Sequence, residues 1–142
     1  MAVFGIAYLS RMSDFKKLDV WRKGHALVLH VHRTTAKMRK GEVAALRGQM
    51  MRAAMSIPTN IVEGNGQQGP KEFARFIRFS LNSSSELEYH LILARDLKAI
   101  STTDFDSLSA QAIEVRRMLY GLRRTLVAAP KKRGRNGQDV VN

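Results

Sequence analysis

Residues 49–64 read QMMRAAMSIPTNIVEG and decide the fold, because two stripes of side chains follow this stretch at helical spacing. Apolar residues recur at steps of three and four, as on the buried face of an amphipathic helix: Leu46, Met50, Ala53, Ile57 and Ile61. Polar residues of several kinds follow the same steps about 100° around the helix: Gln49, Arg52, Ser56, Asn60 and Glu63. The apolar stripe predicts a core helix. The polar stripe is either the boundary of that core or a surface that contacts another molecule.

Pro58 lies inside this pattern and raises the question of whether the helix ends there. A proline in a helix interior removes the hydrogen bond to the carbonyl four residues earlier and crowds that turn. The apolar register nevertheless continues to Ile61, and glycines that could end the helix come only at Gly64 and Gly66. We therefore predict one continuous helix through Pro58, bent near residues 54–58.

Three further segments have helical periodicity, and no segment alternates as a strand would. We predict helices over residues 19–38, 42–64, 70–97 and 103–126. Six residues of the first helix are predicted to face the core: Val20, Gly24, Leu27, Val31, Thr35 and Met38. The third has an inward seam from Phe73 to Leu97, and the fourth has a heptad seam from Phe105 to Leu126. Because the connections are short, neighbouring helices should run antiparallel, which predicts an all-α, up-and-down four-helix bundle.

The composition fits one soluble domain. The chain has 142 residues, 44% of them hydrophobic, enough to bury a core without disulfides or metals. It has no cysteine, which excludes disulfides and thiolate metal sites and favours a reducing compartment. The apolar run at residues 1–9 is too short to span a membrane, so we expect a cytoplasmic protein. We expect three segments: a disordered extension over 1–13, the bundle over 14–126, and a basic disordered tail over 127–142. The first eleven residues of the extension precede a second methionine.

The charge balance is the main indication of a partner. Lys and Arg number 24 against 12 Asp and Glu, so the net charge is +12. The tail has four cations and one acid, which leaves nine of these net charges to residues 1–126. Such an excess favours attraction to nucleic acid, or else to an acidic protein or membrane surface. Of these, we expect nucleic acid and no membrane.

Two rows of cations on the predicted helices could follow a phosphate backbone. The third helix has one at i, i+4, i+7 spacing and the fourth helix has a cluster in its second half: Lys71, Arg75 and Arg78, and Arg116, Arg117, Arg123 and Arg124. The tail adds Lys131, Lys132, Arg133 and Arg135. We predict these side chains as phosphate contacts, the alternative being that they only keep an exposed face soluble.

Patterns typical of enzymes are weak or absent. His30 and His32 fall on different helix faces, and Glu86 with His90 is a single i, i+4 pair without the further ligands that a metal site in a helical bundle needs. The serines at 83–85 lack an evident base and read as small residues at a close helix contact. Phe73, Phe76 and Phe79 read as core or interface residues rather than base-stacking platforms. We expect no enzyme, metal or cofactor.

The same residues carry a family resemblance over about residues 14–126. The central run resembles that of the small four-helix bundle proteins of the 23S rRNA intervening-sequence family: Arg52, Ala53, Ala54, Ser56, Ile57, Pro58, Asn60, Ile61, Glu63 and Gly64. Upstream matches are Phe15, Lys16, Leu18, Val20, Trp21 and Lys23. Downstream matches are Lys71, Glu72, Phe73, Phe76, Ser83, Glu86, Leu87, Met118, Leu119, Gly121 and Leu122. The chain departs from the family pattern at Arg39, Asn82 and Ser84.

The resemblance implies an assembly and partners that periodicity does not reach. Similar proteins form homopentameric barrels, and the related accessory proteins of diversity-generating retroelements bind nucleic acid and a reverse transcriptase. We therefore expect a homo-oligomeric barrel, with five residues at the subunit interface: Gln49, Arg52, Asn60, Glu63 and Glu86. The alternative function is a scaffold that binds an acidic partner, such as a reverse transcriptase, without contacting nucleic acid.

Overall fold

The computed structural model describes residues 14–38, 41 and 43–130, and within these residues it contains helices and no strand. A short 3-10 helix, Phe15–Lys17, precedes four α-helices: α1 Asp19–Ala36, α2 Ala44–Asn65, α3 Pro70–Asp96 and α4 Thr102–Ala128. The all-α, four-helix prediction is confirmed for this part of the chain, with every helix end within two residues of its predicted position. The predicted extension over 1–13 and the tail cations Lys131, Lys132, Arg133 and Arg135 lie outside the described residues.

The helix starts follow from local sequence. Pro70 is the first residue of α3, where its missing N–H and fixed φ fit, and Gly69 before it has a φ of +87°, which favours glycine. At the start of α4 the Ser101 hydroxyl accepts a hydrogen bond of 3.0 Å from the Asp104 N–H, the ordinary N-cap arrangement. No described helix combines the length and the apolar composition that crossing a membrane requires.

The core is built from the predicted seams. All six predicted inward residues of α1 are buried, and so is the α3 seam from Phe73 to Ala94. The prediction for Leu97 is wrong: the residue is 56% exposed and comes directly after the last residue of α3, Asp96. In the α4 seam Phe105 and Leu122 are half-buried and pack against the edge of the core.

The prediction that α2 continues through Pro58 is confirmed. Pro58 is itself buried, and both Ile57 and Ile61 are completely shielded from solvent. An interior proline costs about 3 kcal/mol, whereas burying one isoleucine contributes about 1.5–3 kcal/mol, so the two isoleucines offset it. The Ser80 hydroxyl also donates a 2.6 Å hydrogen bond to the Ile57 carbonyl, which ties α3 to α2 beside the proline.

Gly64 has a role that its sequence position does not suggest. It lies inside α2 rather than after it, and a Cβ at this residue would be 2.6 Å from Cδ2 of Phe73 and 2.7 Å from Cβ of Phe76. Such contacts are too short for any side chain to be added without a shift. The glycine therefore permits the close approach of the end of α2 to the start of α3, instead of ending the helix.

Each helix packs against two others, because α2 and α4 both contact α1 and α3. Side-chain pairs mark these contacts. Between α1 and α4 they are Lys23 Nζ with Glu114 Oε1 at 3.4 Å, His30 Nδ1 with Gln111 Oε1 at 2.7 Å, and Lys37 Nζ with Asp104 Oδ2 at 3.7 Å. Between α2 and α3 the Ser83 hydroxyl donates to that of Ser56 at 2.7 Å. The interpretation of Ser83 and Ser84 as residues of a close helix contact agrees with their burial, whereas Ser85 is exposed.

Candidate nucleic-acid interface

The second half of α4 presents a group of unpaired arginines. Arg117 and Arg124 are exposed and Arg123 is half-buried. Among the residues that the structure describes, none of the three takes part in an ion pair. Residues 115–130 contain four arginines and no carboxylate, so this stretch has a positive net charge.

Arg116 differs from its neighbours. Its Nη1 atom forms an ion pair with Oε2 of Glu88 on α3, and both side chains are largely removed from solvent. The arginine that the sequence predicts as a phosphate contact therefore joins α4 to α3. Charge already matched by a carboxylate attracts a phosphate less, so Arg116 is the weakest of the four arginines as a phosphate contact.

The predicted row on α3 is exposed along its length, at Lys71, Arg75 and Arg78. The guanidinium of Arg75 lies 3.5 Å from the Glu72 carboxylate, a contact that surface exposure makes weak. Carbon ζ of Arg75 and of Arg78 lies 5.4 Å and 5.8 Å from the centre of the Phe79 ring, within the range of cation–π attraction.

Phe79 is already engaged on several sides. Besides the two arginines, its ring meets that of Phe76 edge-on, with 5.6 Å between the centres. Both phenylalanines are half-buried, and Phe73 is fully buried. These positions agree with the interpretation of the three phenylalanines as core or packing residues.

An open depression of about 650 Å³ lies on α4. Its lining is Arg117, Tyr120, Arg123 and Arg124, so it combines three guanidinium groups with one phenol and contains no carboxylate. The sequence analysis did not single out Tyr120. A signal was present, because Tyr120 is three residues after Arg117 and three before Arg123, so the three side chains are neighbours on a helix surface.

The polar stripe of α2 divides into an inner and an outer part. Ser56 and Asn60 are half-buried, and the Asn60 amide donates 2.8 Å and 3.0 Å hydrogen bonds to the carbonyl and hydroxyl oxygens of Ser56. Gln49, Arg52 and Glu63 are exposed, and so is Glu86 on α3. Of the five residues predicted at a subunit interface, Asn60 thus has partners within the chain, while the other four face outward.

A second groove, of about 340 Å³, lies between the start of α2 and the end of α3. Its lining is mostly apolar: Val43, Ala45, Leu46, Gln49, Tyr89, His90, Leu93 and Leu97. The Nδ1 atom of His90 is buried there and has no hydrogen-bond partner among the residues that the structure describes. Within the described part of the chain, no group of three or more His, Asp or Glu side chains could hold a metal ion, so Glu86 and His90 have no third ligand nearby.

Comparisons with known proteins agree with this architecture. The chain is similar to the crystal structure of a protein of unknown function from the S23 ribosomal protein family of Bacteroides thetaiotaomicron. The sequences are 20% identical, the TM-score is 0.69, and the alignment covers 74% of this chain and 98% of the other. No curated protein matches the chain significantly.

The family profile of the 23S rRNA-intervening sequence proteins matches residues 16–121, well over half of the chain. The match begins just before α1 and ends within α4, so it covers the first three helices and most of the fourth. It also contains Gly64, which permits the close approach of α2 to α3, and Pro58, which lies inside α2. The chain therefore belongs to the 23S rRNA-intervening sequence protein family.

Proposed function

We propose that this protein is a non-enzymatic, cytoplasmic, oligomeric accessory protein that binds RNA or DNA mainly through phosphate contacts. The observation that carries the proposal is a set of exposed or half-buried cations on α3 and α4 that have no ion-pair partner among the described residues: Lys71, Arg78, Arg117, Arg123 and Arg124. Cations in an unneutralised group release condensed counterions when they meet a phosphate backbone, which favours binding without regard to sequence.

The cations of α3 and the cations of α4 would form one continuous surface if neighbouring helices run antiparallel, as we propose. The contacts between α1 and α4 favour this direction. Along α1 the paired residues rise from Lys23 to Lys37, and along α4 their partners fall from Glu114 to Asp104. In an antiparallel up-and-down bundle the start of α3 and the end of α4 lie at the same end, which brings the cations of α3 close to Arg123 and Arg124.

Equilibrium binding to RNA and DNA of unrelated sequence, measured as salt is raised, tests the proposal. The logarithm of affinity should fall linearly with the logarithm of salt concentration, by about 0.9 for each duplex phosphate contacted and about 0.7 for each single-strand phosphate. Affinity should depend little on sequence, because phosphate contacts position a protein without reading bases. Absence of binding to either nucleic acid at low salt would rule out this function.

We also propose that the chain assembles as a homopentameric barrel, in keeping with the resemblance to barrel-forming proteins. Light scattering at micromolar concentration should give about five times the chain mass of 16.0 kDa. The exposed residues Gln49, Arg52, Glu63 and Glu86, with Asn60 beside them, are the proposed contact between subunits. Reversing the charge of Glu63 should lower the mass measured by light scattering; a clean monomer in the unaltered protein would remove the assembly proposal.

A second candidate function has its own supporting observation. The groove between α2 and α3 is mostly apolar, and Tyr89 and Leu97 in its lining are largely exposed. Such a groove suits a protein surface, so the protein could act as a scaffold for an acidic partner such as the reverse transcriptase of a diversity-generating retroelement. Selective binding of one acidic protein, with no affinity for nucleic acid, would favour this candidate over the first.

A further inference from the structure

One aromatic side chain, Tyr120, lies among the arginines of the α4 depression. The residue is 51% exposed, so about half of its surface can be reached by another molecule. Arg117 is three residues before it, and Arg123 and Arg124 are three and four residues after it. Residues at these separations are neighbours about 5–6 Å apart at Cβ on a helix surface, so cations flank the ring along the helix on both sides.

Within the described residues, the ring of Tyr120 takes part in no ring–ring or cation–π contact. Among the residues that the structure describes, arginines stack on Phe79 and Phe105, and aromatic pairs join other rings, but no such contact involves Tyr120. Phe79 provides the contrast within the same protein, because two guanidinium groups and the Phe76 ring already occupy its surroundings. Tyr120 therefore has arginine neighbours in sequence, as Phe79 does, but within the described residues neither a guanidinium group nor another ring is in contact with its ring.

The ion pair between Arg116 and Glu88 orients this part of α4. Because the pair joins the two helices, the flank of α4 that contains Arg116 faces α3. Tyr120 and Arg123 are four and seven residues after Arg116 and lie on the same flank. On this flank Arg116, which precedes Tyr120, is paired with the Glu88 carboxylate. Arg123, which follows Tyr120, has no ion-pair partner among the described residues.

We propose that Tyr120 is a stacking platform for an unpaired base, with Arg117, Arg123 and Arg124 contacting the flanking phosphates. This inference rests on the proposed function, since it uses the same arginines, and it narrows the ligand to single-stranded nucleic acid. Stacking on an aromatic side chain tolerates every base because each base has a π face. In a duplex those faces are covered by neighbouring base pairs, and exposing one requires unstacking. The depression consequently prefers single strands to duplexes.

The test compares variants of the full chain on fluorescently labelled single-stranded RNA, single-stranded DNA and duplex DNA of one sequence. Tyr120→Ala should weaken binding to both single strands about tenfold, the effect of removing one stacking aromatic, and should leave duplex binding unchanged. Tyr120→Phe should bind as the unaltered protein does, because the ring is retained. Tyr89→Ala removes an even more exposed tyrosine outside the arginine group and should have no effect.

Two further readouts separate stacking from other roles of Tyr120. The salt dependence of Tyr120→Ala should equal that of the unaltered protein, because no phosphate contact is lost. Its mass by light scattering should also be unchanged, and a lower mass would overturn the inference by placing Tyr120 between subunits. Equal weakening for duplex and single strands, or a loss in Tyr120→Phe as large as in Tyr120→Ala, would overturn it too. If the unaltered protein binds nucleic acid in a salt-dependent way and Tyr120→Ala binds equally well, stacking is rejected and the proposed function stands. If the unaltered protein binds none of the three probes, both the stacking inference and the proposed function are rejected.

Discussion

Replacing both Arg117 and Arg124 by glutamate is expected to weaken binding to RNA and DNA about thirtyfold at roughly 0.15 M salt. This value takes roughly 1 M salt as the point at which the electrostatic contribution vanishes: two lost contacts, at about 0.9 each over the roughly 0.8 log units down to 0.15 M, change log affinity by about 1.5. The slope of log affinity against log salt should also become shallower by about 1.8 on a duplex. Both residues are exposed and have no ion-pair partner among the described residues, so the fold should tolerate the change.

Arg116 is unsuitable for this experiment despite its place in the predicted cluster. A glutamate there would place a second carboxylate against Glu88 and destabilise the contact between α3 and α4. The matched control is the pair Lys17→Glu and Arg33→Glu, which lowers the net charge by the same amount at two exposed residues outside α3 and α4. Equal weakening by both double variants would mean that net charge alone governs binding and that the α4 surface is not the site.

The largest expected effect on stability is that of Ile57→Ala, which should lower the free energy of unfolding by about 2–5 kcal/mol. Ile57 is completely buried, and its carbonyl accepts the hydrogen bond from Ser80. The backbone acceptor remains in the variant, and alanine is the better helix former, so the loss would come from packing beside Pro58. Urea unfolding at one fixed protein concentration measures it, because assembly makes stability depend on concentration.

Met55→Ala is the control for this prediction. Met55 is on the same helix but is 52% exposed in the single chain. Its truncation should therefore change the free energy of unfolding of that chain by no more than about 0.5 kcal/mol. The denaturant slope should be unchanged in both variants if the unfolding transition exposes the same surface. A small and equal effect of the two substitutions would contradict the burial of Ile57 and with it the packing that stabilises α2 across its proline.

Most of the helical architecture could be predicted from the sequence, because apolar residues at steps of three and four specify both the helix and its buried face. The register from Ile57 to Ile61 was sufficient to predict a helix that continues through Pro58. The role of Gly64 was not predictable, because a glycine near a helix end suggests a stop and only the packed structure shows Phe73 and Phe76 against it. The prediction that Leu97 is buried was wrong for a related reason: periodicity does not show which residue is the last of a helix to face the core.

Less of the candidate site could be predicted. Of the seven cations predicted as phosphate contacts on α3 and α4, five are exposed, whereas Arg116 and Arg123 are half-buried. The ion pair between helices could not be predicted, because Glu88 and Arg116 are far apart in sequence and only packing brings them together. The position of Tyr120 among the arginines could have been read from its spacing. Its exposed ring required the structure.

The measurement that tests the central claim most directly is the salt dependence of nucleic-acid binding by a chain shortened to end at Pro130. This cut removes the tail cations Lys131, Lys132, Arg133 and Arg135 and leaves α4 complete through Ala128. If the helical domain is the binding surface, the shortened protein should still bind unrelated RNA and DNA, with log affinity falling linearly against log salt. Loss of all binding in a shortened protein that retains its helical content and its mass by light scattering would contradict the account, because the cations of α3 and α4 would then have no part in binding.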